Sequence, residues 1–454
     1  TLQIQSDIMT RVVYPLSEPT EGLYENVPDK TSLERFRFFH ADEGKPLATP
    51  WQVALSRAQM LRGYQLPEGI ILDCACGSGI QIAAYSEILG RSIIGVELNE
   101  NRARASAVNF RTIFTERGSN DLERLNDSIF IVGDGRDGDN ILATLQNIGV
   151  TESKVAFLHL DPARPRNSRA HALSEMAPRL DEVFSGWKEH IIETVDGPAI
   201  LLDLSPRIST AQMLEVEALV ESFWPGLKKT WTWTSRGRGR VDRLALWIGA
   251  IAEPNHPRRF VRNPPETTKQ PFIILGKNPV VEKDNATKSV PISPQRGAFV
   301  SIIDSALVET GLADDWLKSL SFGSGYVWAD AYGRRPIIYH QNKLENTIQE
   351  LENLIVISGR IVDFIAEDLT MDTVDNFVEI GLLHDISKIT IRAGIDPKLQ
   401  PKLQGSLDRQ LSRRHGSKEG FIIKLQNSQR YILCIVDMLP VSYTHLTLPT
   451  SQLV

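Results

Sequence analysis

Between residues 70 and 250, short apolar runs alternate with stretches whose apolar residues recur every three or four positions. The runs Ile70 to Asp73, Ser92 to Leu98, Ser128 to Asp134, Val155 to Asp161, Ala199 to Leu204, Thr230 to Ser235 and Arg243 to Ala250 have the length of strands, and most are apolar enough to be covered on both faces. Between them, "IQIAAYSEILG" keeps a helical rhythm and stops at Gly90, and "NENRARASAVNFRTIF" opens on an Asn able to cap a helix. This alternation predicts βαβ units in an open α/β sheet of seven strands, Rossmann-like in its connections. Only "RGRGRVD" separates the last two strands. That is too short for a crossover helix, so they are predicted to pair as an antiparallel hairpin.

Outside this region the pattern weakens. Residues 1–45 read as a helical or irregular segment. The many Pro residues and the lack of periodicity make 253–290 a linker, with one short strand at "PFIIL". Beyond it, "FVSIIDSALVETGLADDWLKSL" has a helical rhythm, while "NLIVISGRIVDF", "SKITIRA", "GFIIKLQ" and "RYILCIVD" are strand-like, which predicts a smaller α+β domain over 291–439. The final "PVSYTHLTLPTSQLV" resembles a translated sequencing adapter, so residues 440–454 are expected to be a non-native tail and the natural C-terminus to be missing; the chain also begins at Thr1 without Met.

A length of 454 residues fits two or three domains. No apolar run approaches the ~18 to 20 residues that span a bilayer, and residues 1–30 lack the features of a signal peptide, so a cytoplasmic location is expected. Three cysteines (Cys74, Cys76, Cys434) are too few for a disulfide framework, and without a His cluster beside them no metal site is expected.

The stretch "ILDCACGSGIQ", residues 71–81, joins a strand to a helix through Gly77 and Gly79. Such a turn presents backbone N–H groups and the positive end of a helix dipole, and glycine lets a ligand approach the backbone. The dinucleotide fingerprint requires a third glycine where Ile82 stands. Glu97, 24 residues after Asp73, ends the next strand, where a carboxylate can accept hydrogen bonds from ribose hydroxyls. Asp134 ends the third strand, with Asp137 as its rival and a turn role open to either. Asp161 and Pro162 end the fourth. Four acidic strand ends suit a cationic, ribose-bearing ligand better than a polyphosphate.

The set "LDCACGSG", "GVELNENRA", "VGDGRD" and "LDPAR" resembles motifs I to IV of the class I S-adenosylmethionine-dependent methyltransferases. The resemblance implies a cofactor site at Asp73, Cys76, Gly77, Gly79, Glu97 and Asp134, within a methyltransferase domain over 46–252. "ATPWQVALSRAQML", "LLDLSPR", "WTWTSRGR" and "LALWIG" are similar to segments of methyltransferases with a C-terminal THUMP-like domain, which here would be 291–439. That likeness spans residues 46 to about 437 and implies RNA, tRNA included, as substrate. Two departures stand out: Pro165 follows "DPAR" where the pattern has another Arg, and "RGRGR" replaces a Gly-Glu pairing in the late hairpin.

Methyl transfer from a sulfonium is an in-line displacement that needs mainly alignment. Asp161 and the carbonyls around Pro162 can accept hydrogen bonds from an exocyclic amine, and Arg164 stands where amino-methyltransferases carry a base-clamping aromatic. Asp161, Pro162 and Arg164 are therefore the catalytic candidates, for transfer to a base nitrogen. Attack at a pyrimidine carbon needs a Cys nucleophile, and neither the loop cysteines nor Cys434 is placed for it.

The net charge of −6 excludes a uniformly cationic nucleic-acid protein. Residues 225–262 nevertheless hold nine Lys or Arg against two acids, with Trp231 and Trp233 among them. Arg166, Arg169, Arg236, Arg238 and Arg240 are the candidate RNA contacts. Against this stand a solvated hairpin tip for the arginines and a core role for the tryptophans. "GLLHDISK", residues 381–388, looks like the signature of His-Asp metal phosphohydrolases, but it runs straight into an alternating strand, so His384 is expected at a helix–strand junction. The competing functions are a methyltransferase of small molecules or proteins, a non-catalytic RNA-binding protein and that phosphohydrolase. Oligomeric state is left open.

Overall fold

The computed structural model describes residues 10–26, 36–42, 48–152, 154–163, 172–264, 270–281, 289–320, 325–344, 354–425 and 428–438. The chain divides into two compact units, residues 1–236 with 241–283, and residues 237–240 with 284–454.

The first unit begins with β1 (Arg11–Val13), β2 (Tyr24–Asn26), β3 (Phe38–His40) and α1 (Trp51–Leu61). Alternating elements follow: β4 (Ile70–Asp73), α2 (Ile80–Leu89), β5 (Ile93–Glu97), α3 (Glu100–Glu116), α4 (Leu122–Asp127), β6 (Ile129–Val132), α5 (Gly138–Asn147) and β7 (Val155–Leu160). It ends with α6 (Leu180–Trp187), β8 (Ala199–Leu204), α7 (Thr210–Phe223), β9 (Lys229–Ser235), β10 (Arg243–Gly249), β11 (Arg258–Arg262) and β12 (Phe272–Gly276).

One sheet orders these strands β1-β6-β5-β4-β7-β8-β10-β9-β11-β12. The run from β6 to β8 is parallel. Every residue of β4 to β8 is buried, which explains why these strands read as continuous apolar runs: helices cover both faces. α1, α2 and α3 pack over one face through Trp51, Tyr85 and Phe110, against Phe130, Phe157 and Trp247 of the sheet.

All seven expected strands occur, and β9 and β10 pair antiparallel as their short connection requires. The expected number is nevertheless too small, because three strands extend the sheet to ten. β1 pairs antiparallel with β6, and β2 with β3, so the segment expected to be helical or irregular contains strands. Within the expected linker 253–290, the short strand expected at "PFIIL" occurs as β12 and pairs antiparallel to β11, a strand that was not expected and that pairs parallel to β9. "RRFVR" hides a buried strand because the fold supplies Arg259 with its own partners, Glu253 Oε2 among them at 3.3 Å. Arg259, 3% exposed, donates to Thr232 Oγ1 (3.1 Å) and to Tyr64 Oη (2.9 Å), and its guanidinium lies 4.5 Å from the Trp247 ring centroid.

The second unit comprises β13 (Phe299–Ile303), α8 (Ser305–Glu309), α9 (Ala313–Ser319), β14 (Tyr326–Asp330), β15 (Ile337–His340) and β16 (Ile355–Ile365). It continues with α10 (Val374–Leu383), β17 (Ile386–Ile391), α11 (Gln400–Leu411), β18 (Lys418–Lys424) and β19 (Tyr431–Met438). Its sheet runs β14-β15-β13-β16-β19-β18-β17, with β17 and β18 the one parallel pair. α10 and α11 bury Phe377, Leu403, Leu407 and Leu411 in one cluster with Ile389, Ile422 and Leu433 of the sheet. His384 caps α10, and Asp385 turns the chain into β17 with φ of 62°. His384 Nε2 lies 2.9 Å from Asp363 Oδ2. Among the described residues no group of three or more His, Cys, Asp or Glu is arranged to hold a metal.

Phe260, fully buried on β11, separates a linker from a strand. Phe260→Ala is expected to cost about 3 to 5 kcal/mol in urea unfolding. A loss below about 0.5 kcal/mol would return this segment to a linker.

Candidate functional site

The site grows from the turn after β4. Asp73 Oδ1 accepts from the Ala75 amide (3.0 Å), Cys76 N donates to Val96 O (3.0 Å), and Gly79 N donates to Cys76 O (2.8 Å). On one side, Glu97 takes the Gly77 amide on Oε2 (3.1 Å) and the Asn99 amide on Oε1 (3.0 Å). Glu97 is 7% exposed, and burial pushes its carboxyl up against the pull of those two amides. On the other side, α3 holds two loop carbonyls: Ser106 Oγ donates to Gly77 O (2.7 Å) and Asn109 Nδ2 to Ser78 O (2.8 Å).

The two glycines serve different ends. Both have positive φ, 56° at Gly77 and 72° at Gly79. A Cβ on Gly77 would meet nothing nearer than Ala75 O at 4.0 Å, so space lies open over it. A Cβ on Gly79 would fall 2.8 Å from Ser106 Cβ and 2.9 Å from Ser106 Cα. Gly79 is thus required by contact with α3, where the sequence suggested approach to a ligand. The Cys76 side chain likewise turns inward, with Sγ 3.6 Å from Ser106 Oγ, and burial pushes the Cys74 and Cys76 thiols well up. Neither is a thiolate nucleophile.

Asp134 lies in the turn after β6, bound through both oxygens by Arg136 (Nε to Oδ1 2.9 Å, Nη2 to Oδ2 2.6 Å), which holds its carboxyl below the usual range. Arg136 also donates to Glu182 (2.9 Å). Its rival Asp137 accepts from the Asn140 amide (3.1 Å) and caps α5, a structural assignment. A Cβ on Gly135 would sit 1.9 Å from Cys74 O, so this turn is pressed onto the β4 loop.

Three residues missed by the sequence reading dominate the strand tips: His159, Asp203 and Arg57. His159 Nδ1 lies 2.7 Å from Asp73 Oδ2, and its Nε2 lies 3.6 Å from Asp203 Oδ2. Arg57 of α1 grips both oxygens of Asp203, with Nη2 2.7 Å from Oδ1 and Nη1 on Oδ2. Arg57 also reaches Gln81 of α2 (2.9 Å), whose amide donates to Ala54 O (3.2 Å). Asp73, His159, Asp203 and Arg57 are all at most 5% exposed. Burial alone would discharge His159, but Asp73 and Asp203 overcome it and push the imidazole up to about 9. Burial would raise Asp203; Arg57 and His159 hold it well below the usual range.

Asp161 follows β7 directly, with buried Pro162 beside it, and the Ala163 backbone exchanges two 2.9 Å hydrogen bonds with Ala177. Burial and then the neighbouring Asp203 push Asp161 up to about 6, against Arg243, His159 and Arg57. Arg164, Arg166 and Arg169 lie outside the described residues. In the hairpin, Arg236 is half-buried, its amide 2.7 Å from Asp242 Oδ2, while Arg238 and Arg240 are exposed. Trp231 and Trp233 are core residues at 1% and 7% exposure, and Trp231 Nε1 donates to Glu217 (2.7 Å). Arg259 and Arg262 are each 3% exposed, so two of the nine cations counted from the sequence are not surface charges.

No known protein family and no curated protein matches the chain in sequence. Among solved structures, the chain is similar to a SAM-dependent methyltransferase from Agrobacterium tumefaciens, at 15% identity over 51% of this chain and 71% of that one, with a TM-score of 0.31. Human methyltransferase-like protein 13 in complex with SAH aligns at 16% identity over 45% of this chain and 80% of that one, TM-score 0.27. The ribosomal protein L11 methylase from Lactobacillus delbrueckii subsp. bulgaricus aligns at 14% identity over 43% and 76%, TM-score 0.26.

Asp161 supplies a pH test. Its folded pKa of about 6 lies above the unfolded value, so its ionisation opposes folding above pH 6, and the penalty vanishes below about pH 4. Asp161→Asn is therefore expected to raise unfolding free energy by roughly 1 to 3 kcal/mol at pH 7.5 and to leave it unchanged at pH 4. An equal effect at both pH values would contradict this environment for the carboxyl.

Proposed function

We propose that the chain is an S-adenosylmethionine-dependent methyltransferase acting on RNA, tRNA among the candidates, with transfer to a base nitrogen. One observation carries this reading: the buried Glu97 carboxylate is held by two loop amides directly beside the open space over Gly77. Each carboxylate oxygen keeps a free lone-pair direction for a ribose hydroxyl, and the open glycine is a cradle that a Cβ would begin to fill. These residues fit the cofactor. Glu97 would hold its ribose, the Gly77 backbone would lie against it, and Asp73 would keep the loop in shape through Ala75. Asp134, already paired with Arg136, would stand at the edge of the site. Cys76 would take part through its backbone alone.

When bound, the cofactor supplies an electrophilic methyl group on a cationic sulfur. The chain's own residues do the rest. Asp161, ionised above about pH 6, accepts a hydrogen bond from an exocyclic amine and so turns the nitrogen lone pair away from itself, while Pro162 fixes the backbone that carries it. Arg164 would contact base or phosphate, and Arg166 and Arg169 would add phosphate contacts, as the sequence suggests. Exposed Arg238 and Arg240 add positive charge for a phosphate backbone, and the α+β unit would serve as a THUMP-like accessory domain. No helix among the described residues is long and apolar enough to cross a membrane. The three cysteines are unpaired, which favours a reducing, cytoplasmic setting.

Calorimetry tests the cofactor. S-Adenosylmethionine and its demethylated product are expected to bind the wild type, Glu97→Ala to weaken binding at least ~10-fold through lost charge-assisted hydrogen bonds, and Gly77→Arg to abolish it. No heat with either ligand would defeat the reading. Incubation with labelled cofactor and total RNA, metabolites or protein extract identifies the acceptor: label in an RNA nucleoside is expected, and label confined to metabolites or protein would replace RNA. RNA affinity is expected to fall with salt, by about 0.7 in the log–log slope per phosphate neutralised, and the slope to shrink in Arg238→Glu with Arg240→Glu.

A further inference from the structure

The buried charges at the strand tips form one connected chain. β4 contributes Asp73, whose Cα partner in the sheet is His159 of β7. Asp73 spends one oxygen on the turn amide of Ala75 and the other on His159 Nδ1. His159 faces Asp203 of β8 with its second nitrogen, at an ion-pair distance of 3.6 Å rather than a hydrogen bond. Arg57 of α1 closes the chain on Asp203, and Tyr85 of α2 sets its ring edge-on to the imidazole, with centroids 5.4 Å apart at 70°. Two residues beyond His159, on the same strand face, stands Asp161. Arg243 approaches these groups from β10.

Charge counting shows what His159 is for. Asp73, Asp161 and Asp203 are three carboxyls on three adjacent strand tips, and Arg57 is already committed to Asp203 through two contacts. The other oxygen of Asp73 accepts from a backbone amide, that of Ala75. Asp73 Oδ2 lies 2.7 Å from one nitrogen of His159 and Asp203 Oδ2 3.6 Å from the other, so an imidazolium between them would supply the compensating charge.

We propose that His159 is a positioning residue: as an imidazolium between Asp73 and Asp203, it couples the shape of the cofactor loop to the ionisation of the acceptor-side carboxyl Asp161. The consequence for methyl transfer rests on the function proposed above, whereas the coupling is a property of the chain itself. Loss of the charge weakens the hold on Asp73 Oδ2, and with it the carboxyl whose other oxygen accepts from the Ala75 amide. It also leaves Asp161 beside Asp203 with one cation fewer, so Asp161 holds its proton to higher pH. Burial and Asp203 already push Asp161 up to about 6, which leaves it poised for such a change in the neutral range.

The test is carboxyl NMR on protein labelled with 13C-aspartate, with the Asp161 resonance assigned by its loss in Asp161→Asn. The wild-type midpoint is expected near pH 6, and His159→Gln is expected to raise it by about one unit, a ~10-fold gain in proton affinity. An unmoved midpoint in folded His159→Gln overturns the proposal. A merely structural role would lower stability and cofactor affinity without moving that midpoint. Should His159→Gln fail to fold, 15N NMR of the wild-type imidazole decides: both nitrogens protonated at pH 8 supports the proposal, and a neutral ring at pH 7 overturns it. A moved midpoint without any heat from S-adenosylmethionine would defeat the function and leave the coupling standing. Cofactor binding with an unmoved midpoint would do the reverse.

Discussion

A parallel sheet brings the carboxyl ends of its strands to one edge, and in this chain three neighbouring strands deliver an aspartate there. Asp73 ends β4, Asp161 follows β7 and Asp203 is the last but one residue of β8, and Asp73 and Asp203 are each 2% exposed. Such a cluster is stable only if cations are buried with it. His159 and Arg57 meet that requirement from two different elements, β7 and α1. The position of α1 over the sheet is therefore set by charge as well as by its apolar residues Trp51, Leu55 and Leu61. Gln81, bridging Arg57 to Ala54, ties α2 into the same arrangement.

The loop after β4 is held by this network on one side and by α3 on the other. Asp73 fixes the start of the turn, Glu97 its middle, and Ser106 and Asn109 its carbonyls. Asn109 extends the support to β3, accepting from Phe39 N (2.6 Å) and donating to Phe39 O (2.9 Å). A loop held from three directions needs little ordering when a ligand arrives, and the entropic cost of binding is reduced accordingly. Gly79 permits this close packing on α3 while Gly77 keeps the outer side clear. The motif thus carries two separate demands, one from the protein and one from the space above it.

The central strands and the Gly loop were legible in the sequence because burial on both faces leaves continuous apolar runs, and glycines at positive φ leave a conspicuous spacing. β11 was not legible. Three arginines in five residues look like solvated chain, and the partners brought by Trp247, Tyr64, Thr232 and Glu253 make Arg259 a core residue. β1 is three residues long, too short to show a period, and exists because β6 offers an edge to pair with. The charge network was also missed, although it left a trace: "FLHLD" and "LLDLS" each interrupt an apolar run with a polar residue at a position the sheet must bury. Two such interruptions on adjacent strands are mutual partners. Asp134 was preferred to Asp137 on the resemblance, but what each does locally was not legible, since capping and pairing with Arg136 depend on where α5 begins.

The antiparallel strand β10 completes the logic of the acidic edge. Parallel strands all point their carboxyl ends toward the site, so residues there must come from the last positions of each strand. β10 runs the other way between β8 and β9, with Leu244 opposite Leu204 and Ala245 opposite Asp203. Its first residue, Arg243, therefore arrives at the edge where the parallel strands end. There it lowers the carboxyl of Asp161, offsetting in part the burial that raises it. Reversal of one strand lets the sheet place a cation from a strand start beside acids from strand ends. Without it, the compensation would rest on α1 and β7 alone, and Asp161 would stay protonated to still higher pH. The hairpin after β8 is thus an electrostatic part of the strand-tip cluster, even where its own side chains lie outside the loop after β4.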